Sequence, residues 1–366
     1  MGQLHKQDQC LSAPAKPFIC RPDRTEYMVI ADSNALLLKS RGGIEISRWR
    51  LVQKADQLQL EWMASCSGKS QTAELLAAIE AAFTNYPDCD KLEVQAPFVE
   101  LVELDELLCS GVLLLSKSGR LTVEIELFWQ QARIWLLPYP PCGFPLTYIL
   151  DHGLRHPLRP PKPEGMVYER YIPWLERTLS FRAVDIQRDL ECFNRWMNDP
   201  IVAAAWGEEG DLIKHHAYLQ KLAADPHSIG LIASLGDEDF GYFEIYWAKE
   251  DHIAPFYQAD DFDRGWHVLI GEPRFRGKPF VTAWLPSISH YLFLDDCRTQ
   301  RIVIEPRSDN LKMIRNLGKC GYLNLKEFDF PHKRAILSML QRERFFAERL
   351  WIPRDGTTTS LSASLS

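Results

Sequence analysis

The stretch Trp266-His267-Val268-Leu269-Ile270-Gly271-Glu272-Pro273-Arg274-Phe275-Arg276-Gly277-Lys278-Pro279 decides the fold of this chain. Its first five residues are an apolar run of strand character. An Arg-x-x-Gly loop follows, from Arg274 to Gly277. A long amphipathic segment, Phe280–Leu294, then reads as a helix with a kink at Pro286. A loop between strand and helix suits a pyrophosphate. Gly277 has no side chain, so backbone N–H groups approach the anion closely. The helix N-terminus adds partial positive charge, and Arg274, Arg276 and Lys278 add full charges. A plain surface turn is the competing reading, so the loop is informative only beside a second segment.

That segment is Arg301-Ile302-Val303-Ile304-Glu305-Pro306, a strand, followed by a helix headed by Asn310 and closed by Gly321-Tyr322. Leu323–Phe328 is a further strand. The order of strand, Arg-x-x-Gly loop, helix, strand, Asn-headed helix, Gly-Tyr and strand resembles the GNAT acyl-CoA transferases. The resemblance implies an α/β (α+β) fold in the C-terminal half. Its two central strands splay apart, with the thioester between them.

Further motifs narrow the resemblance. They are Phe193-Asn194-Arg195-Trp196-Met197-Asn198-Asp199-Pro200, Ala205-Trp206, Tyr242–Trp247, Lys249-Glu250-Asp251, Asp263–His267, Glu305-Pro306-Arg307-x-Asp309-Asn310 and Glu327–Arg334. Over roughly residues 160–345 the chain resembles the siderophore-biosynthesis GNAT acyltransferases. That group holds the aerobactin N-epsilon-hydroxylysine acetyltransferase, the hydroxycadaverine and hydroxyputrescine acyltransferases and, more distantly, the mycobactin lysine acyltransferase. The resemblance implies transfer of an acetyl or succinyl group from acyl-CoA, a co-substrate rather than a resident cofactor, to a small hydroxylated amine. It implies a base at His267 and an acidic partner at Glu305, without a metal. Other siderophore-pathway enzymes are candidate partners. Two departures stand out. The mycobactin-type enzymes carry Asp where this chain has Glu305. Pro279 ends the loop where the family has Gly, so one N–H is missing.

Composition sets bounds on the rest. With 366 residues, two domains are expected. Hydrophobic residues at 46% and charged residues at 25% suit a globular protein with a sizeable core. A net charge of -7 argues against nucleic-acid binding. No apolar run is long enough to span a membrane, and the N-terminus lacks a secretory h-region. The nine cysteines form no C-x-x-C pair and read as reduced thiols in the cytoplasm.

Residues 1–25 read as a loose arm and 26–156 as an N-terminal α/β domain. That domain is expected to be a degenerate GNAT-like copy without an Arg-x-x-Gly segment. Strands are expected at Tyr27–Ala31, Ala35–Leu38, Leu58–Trp62, Lys91–Gln95, Gly111–Leu115, Leu121–Phe128 and Ala132–Leu137. Helices are expected at Thr72–Asn85 and Pro97–Leu108. Residues 157–165, with Pro157, Pro160, Pro161 and Pro163, read as a stiff linker. The acyltransferase domain is expected over 166–352, and 353–366 as a disordered tail.

Each candidate has a plainer reading. His267 is either a satisfied core histidine or the base; His332 is its rival. Glu305 closes an apolar strand, where a carboxylate needs a partner. Asn310 is an N-cap or a contact for the pantetheine arm, and Arg315 is a further acyl-CoA-binding candidate. Backbone amides at Val268 and Leu269 suit a carbonyl oxyanion. Trp206, Tyr246 and Trp247 are core aromatics or a wall for an aliphatic substrate stem. Asp251 and Asp263 are loop charges or holders of a distal ammonium, and Arg264 is a candidate for a carboxylate on substrate or acyl group. The rival functions are a protein or small-amine N-acetyltransferase of the same fold and a non-catalytic acyl-CoA-binding protein.

Overall fold

The structure, a computed structural model, describes residues 16–32, 34–54, 57–65, 71–95, 101–137, 143–331 and 333–353. The expected loose arm (up to residue 15), His332 and the expected tail from residue 354 lie outside them.

Two eight-stranded sheets carry the fold. The first holds β1 (Phe18–Cys20), β2 (Tyr27–Asp32), β3 (Ala35–Lys39), β4 (Glu45–Lys54), β5 (Gln57–Ser65), β6 (Lys91–Gln95), β7 (Leu114–Leu115) and β8 (Leu121–Glu124). Helix α1 (Gln71–Asn85) follows β5 and α2 (Leu101–Cys109) follows β6; the short α3 (Ile125–Phe128) and α4 (Ala132–Trp135) come after β8. A hairpin of β9 (Tyr148–Asp151) and β10 (Leu154–Pro157) leads on. The second sheet holds β11 (Met166–Ile172), β12 (Arg177–Ala183), β13 (Ser228–Leu235), β14 (Glu238–Trp247), β15 (Arg264–Ile270), β16 (Arg301–Ile304), β17 (Leu323–Asp329) and β18 (Arg334–Gln341). Its helices are α5 (Ile186–Met197), α6 (Pro200–Trp206), α7 (Leu212–Ala224), α8 (Lys278–Asp295), α9 (Leu311–Lys319) and α10 (Arg342–Ala347).

The strand orders, β1-β2-β3-β4-β5-β6-β8-β7 and β11-β12-β13-β14-β15-β16-β18-β17, match position for position. In each sheet the fifth and sixth strands are parallel, paired at Leu58↔Leu92 and at Arg264↔Ile302. A parallel pair needs a crossover, and α1 and α8 supply it. The N-terminal half is thus a second copy of the same topology. The copies differ between the second and third strands, where α5, α6 and α7 are inserted only in the C-terminal one.

Local chemistry explains the insert. Asp185 Oδ1 accepts from the Gln187 and Arg188 amides and starts α5. Asp199 caps α6, whose first residue is Pro200, a position where its missing N–H is tolerated. Helix α7 starts at Leu212 because Asp211 caps it, accepting from the Lys214 amide at 2.8 Å. Two expected strands are corrected. Leu121–Phe128 is strand only to Glu124, since the period-two pattern gives way to burial of Ile125 and Phe128 three apart, as in a helical turn. Ala132–Leu137 is mostly the helical turn α4, which buries Ile134 and Trp135.

The chain forms two compact units. The first contains residues 1–146, 159–244 and 268–275; the second contains 147–158, 245–267 and 276–366. Within the first unit, β1 packs on β11, with Phe18 stacked on Tyr171 at 4.5 Å. Arg21 pairs with Glu169 there, and Leu136 bridges to Tyr168. In that unit α5 also anchors the segment after β15: the Trp196 indole N–H and Arg195 both donate to Glu272 Oε1, at 3.0 and 2.7 Å. Among the described residues, no helix is long and apolar enough to cross a membrane.

Candidate active site

Glu305 is the centre of a dense polar cluster in the second compact unit. It follows β16 directly and is only 3% exposed. Its Oε1 meets His267 Nε2 at 2.8 Å. Oε2 accepts from the Tyr246 hydroxyl at 2.9 Å. Lys333 Nζ lies 3.4 Å from Oε1 and donates to the Glu305 carbonyl oxygen at 3.0 Å. His252 Nε2 stands 3.8 Å from Oε1, an ion-pair distance outside hydrogen-bond reach.

These partners decide the charge of Glu305. Burial pushes its carboxyl up. The charge and hydrogen bond of His267, with Lys333 and His252 behind them, outweigh burial and hold it at about 2. The carboxylate is therefore ionised at neutral pH. Burial and the Glu305 charge push the Tyr246 phenol up, so Tyr246 stays a donor. With Glu305 a permanent acceptor, His267 Nε2 carries the proton between them. In the neutral ring Nδ1 is then the acceptor nitrogen.

The strands explain why these groups meet. His267 lies on β15, beside the parallel β16 that ends next to Glu305. Tyr246 reaches the carboxylate because its ring lies flat against Gly265. A Cβ at Gly265 would fall 2.2 Å from the ring carbons. Among the described residues, the first sheet has nothing comparable. Three residues past the paired positions Arg264 and Ile302 come His267 and Glu305; three past Leu58 and Leu92 come Glu61 and Gln95. Glu61 is held by Arg50 at 2.9 Å, and no histidine occurs between His5 and His152.

His252 was not singled out by any motif in the sequence. Its Nδ1 pairs with Asp251 Oδ1 at 3.1 Å, and the same oxygen accepts from the Ile253 amide at 3.0 Å. Its ring lies 6.2 Å from that of His267, at 25°, and packs on Phe330 at 5.1 Å. The Asp251 hydrogen bond raises the His252 pKa; burial opposes this, and the Asp251 and Glu305 charges support it against that of His267. Asp251 thus serves His252 and its own turn rather than standing as a loop charge.

Other candidates are committed elsewhere. Arg264 is 1% exposed, donates to Asp295 Oδ2 at 2.7 Å and lies 4.0 Å over the Trp247 ring. The carboxylate it meets is Asp295, and Trp247 is a buried core aromatic rather than a substrate wall. Asp263 is buried against Arg301 and the Tyr257 hydroxyl, so it is no ammonium holder. Trp206 lies half-buried against the core cluster of Phe193, Trp196 and Tyr242, and its indole donates to the Val268 carbonyl at 3.4 Å. Leu269 is buried in that cluster. Asn310 caps α9, accepting from the Met313 amide at 3.1 Å, which is its plainer reading. Arg315 projects exposed from the same helix.

The loop opens the 18-residue helix α8. Gly277 is the N-cap residue, at φ +128°, a backbone only glycine takes without strain, and a Cβ there would meet nothing within 4 Å. The space beside it is open. Val281 makes the first helical bond, to the Gly277 carbonyl at 3.0 Å. Pro279 stands in the first turn, where its missing N–H costs the helix nothing. Lys278 is exposed and Arg276 half-buried. Arg274, in the first unit, pairs with Glu238.

Comparison with known proteins agrees with this geometry. A family model described as an acetyltransferase (GNAT) domain matches residues 185–330. A putative lysine N-acyltransferase of Schizosaccharomyces pombe is 46% identical over 63% of this chain and 69% of its own. The N(6)-hydroxylysine O-acetyltransferase of Escherichia coli is 40% identical over 71% of this chain and 85% of its own. An N(5)-hydroxyornithine:cis-anhydromevalonyl coenzyme A transacylase of Beauveria bassiana is 45% identical over 52% of this chain and 43% of its own. The chain belongs to the family of acyl-CoA-dependent GNAT acyltransferases that these enzymes represent.

Proposed function

We propose that this enzyme moves an acetyl or succinyl group from acyl-CoA to the hydroxylamine nitrogen of N-hydroxylysine or an N-hydroxydiamine, giving a hydroxamate for siderophore synthesis. The observation that carries the reading is the 2.8 Å contact of His267 Nε2 with a buried, ionised Glu305. The nitrogen attacks the thioester carbonyl, and its N–H proton passes to His267 Nδ1. The tetrahedral oxyanion then collapses, the C–S bond breaks, and CoA thiolate leaves and takes up a proton. A hydroxylamine is far less basic than an alkylamine, so it arrives neutral and needs a base only as its N–H turns acidic during attack. A carboxyl held near 2 cannot take up a proton at neutral pH, so Glu305 orients the imidazole and offsets its charge instead of relaying.

Acyl-CoA is assigned to the amides around Arg276, Gly277 and Lys278, with Arg315 as a further contact. Residues 166–352 are read as the catalytic domain, 157–165 as a linker and 26–156 as a copy without transfer chemistry. The cytoplasm and the enzymes of the same pathway are the setting that fits this chemistry.

The relatives' names differ over the acylated atom, oxygen in one and nitrogen in another. Nitrogen is favoured here because only N-acylation yields the hydroxamate that chelates iron. The test is thiol release from acetyl-CoA and succinyl-CoA with N-hydroxylysine, N-hydroxycadaverine and a test peptide, with ferric-complex colour reporting hydroxamate. Turnover of the peptide alone would overturn the proposal, and an uncoloured ester product would move the nucleophile to oxygen.

A further inference from the structure

We infer that His252 binds the hydroxyl oxygen of the N-hydroxylated amine and so sets the preference for a hydroxylamine over its parent amine. The inference rests on the proposed function and adds the group that reads the N–OH.

Three features of the geometry carry it. First, His252 is held in one orientation at one edge only. Asp251 Oδ1 takes Nδ1 at 3.1 Å and is itself fixed by the Ile253 amide, whose side chain is fully buried. Phe330 supports the ring face. Second, the opposite nitrogen, Nε2, lies toward the carboxylate that holds His267. It is 3.8 Å from Glu305 Oε1, the oxygen that holds His267, yet too far to bond to it. The side chain is half exposed, so a small molecule can reach it. Third, the His252 and His267 rings are nearly parallel and 6.2 Å apart. In the inferred complex the hydroxylamine spans the two rings, its nitrogen at His267 and its directly bonded oxygen at His252.

A hydroxyl fits this nitrogen in either protonation state. Neutral His252, with its proton on Nδ1, accepts from the hydroxyl through Nε2; protonated His252 donates to the oxygen lone pairs. The groups facing the ring are Asp251, Glu305, His267 and, through Phe330, Lys333. Their balance raises the His252 pKa, which favours the donating form. It also disfavours an alkylammonium, the form a parent amine takes at neutral pH. A parent amine would leave Nε2 with no partner on the substrate, which is how a site built for a hydroxyl rejects an analogue without one.

The test compares full-length wild type, His252→Ala and His252→Gln, using N-hydroxylysine and lysine with saturating acetyl-CoA. Preference is read as the ratio of kcat/KM values, and as the ratio of Kd values on the enzyme–CoA complex by calorimetry, which needs no turnover of lysine. In His252→Ala both ratios should fall about tenfold or more, through loss on the hydroxylamine alone. His252→Gln, whose amide keeps a donor, should recover part of the ratio, a rescue that a packing role would not produce. Equal losses on both substrates, with ratios unchanged, would make His252 a mere support of His267 and overturn this inference alone. A wild type that prefers lysine, or binds both equally, would bring down the proposed function and this inference with it.

Discussion

The Tyr246 hydroxyl donates to Glu305 Oε2 at 2.9 Å from a ring that lies against Gly265, where the strand carries only hydrogen. One glycine thus admits the phenol that holds the far side of the carboxylate, while His267 holds the near side. Tyr246→Phe should leave a buried carboxylate oxygen short of its donor, costing about 1–3 kcal/mol in stability. Gly265→Ala should displace the same ring and cost at least as much. The double variant should fall well short of the sum, because both changes break one contact. Urea unfolding of the four proteins measures this, and strict additivity would mean the glycine and the phenol act independently.

His267→Ala should lower kcat by about 100-fold or more, the scale of general-base removal. Acyl-CoA affinity, measured by calorimetry, should hardly change. Glu305→Gln should lose less, since orientation and charge compensation go but the base stays. Near-normal turnover in His267→Ala, alongside a dead His332→Ala, would move the base to His332.

Much of this was legible in the sequence because it is local. The strand, loop and helix around Gly277, and the strand ending at Glu305, are short patterns whose spacing already puts His267 and Glu305 on neighbouring strands. Tyr246 was visible only as one aromatic among several, since nothing along the chain says that Gly265 will lie under its ring. His252 and Lys333 join the cluster from a loop and from the residue before β18, at separations no periodicity reports. Arg264 misled for the opposite reason. A lone arginine beside the motif reads as a binding group until Asp295, thirty-one residues on, takes it. The duplicate topology was readable as similar strand–helix alternation, but the matching order needed the pairing of β8 and β18 inside β7 and β17.

Arg264 should matter for folding and not for substrate affinity. Arg264→Met removes the buried partner of a partly exposed Asp295 and strips the Trp247 face of its cation. The expected destabilisation is about 1–3 kcal/mol. KM for the hydroxylated amine, corrected for the folded fraction, should stay within twofold (about 0.4 kcal/mol in binding terms). A large rise in KM at unchanged stability would return Arg264 to substrate binding.

Gly277→Glu should weaken acyl-CoA binding by about tenfold or more. The side chain would put negative charge where the pyrophosphate meets the start of α8, opposing the favourable end of the helix. Because Gly277 has φ +128°, any side chain also strains the backbone, so Gly277→Ala is the control. It should cost stability through strain while weakening binding less, since a Cβ meets nothing within 4 Å. Equal affinity in all three proteins, by calorimetry on folded samples, would remove the loop from the acyl-CoA site.

The pH dependence of stability should carry the signature of Glu305. Its carboxyl titrates at about 2 in the folded chain, against an ordinary value of 4.5. A carboxylate whose value is depressed by folding stabilises the fold fully above its unfolded value, because there both states are ionised and only the folded one has the partners. As pH falls between 4.5 and 2 the unfolded chain takes up a proton that the folded chain refuses, and this contribution drains away. His252, whose pKa is raised, is protonated throughout that window, so its part in depressing the value is intact there. The stability difference between wild type and Glu305→Gln should therefore be largest near pH 5 to 6, where His252 is charged and Glu305 is ionised, and shrink steadily below it, as unfolding midpoints at pH 6, 5, 4 and 3 would register. A difference that stayed constant down to pH 3 would mean that Glu305 titrates alike in both states and that His267, Lys333 and His252 do not hold its charge.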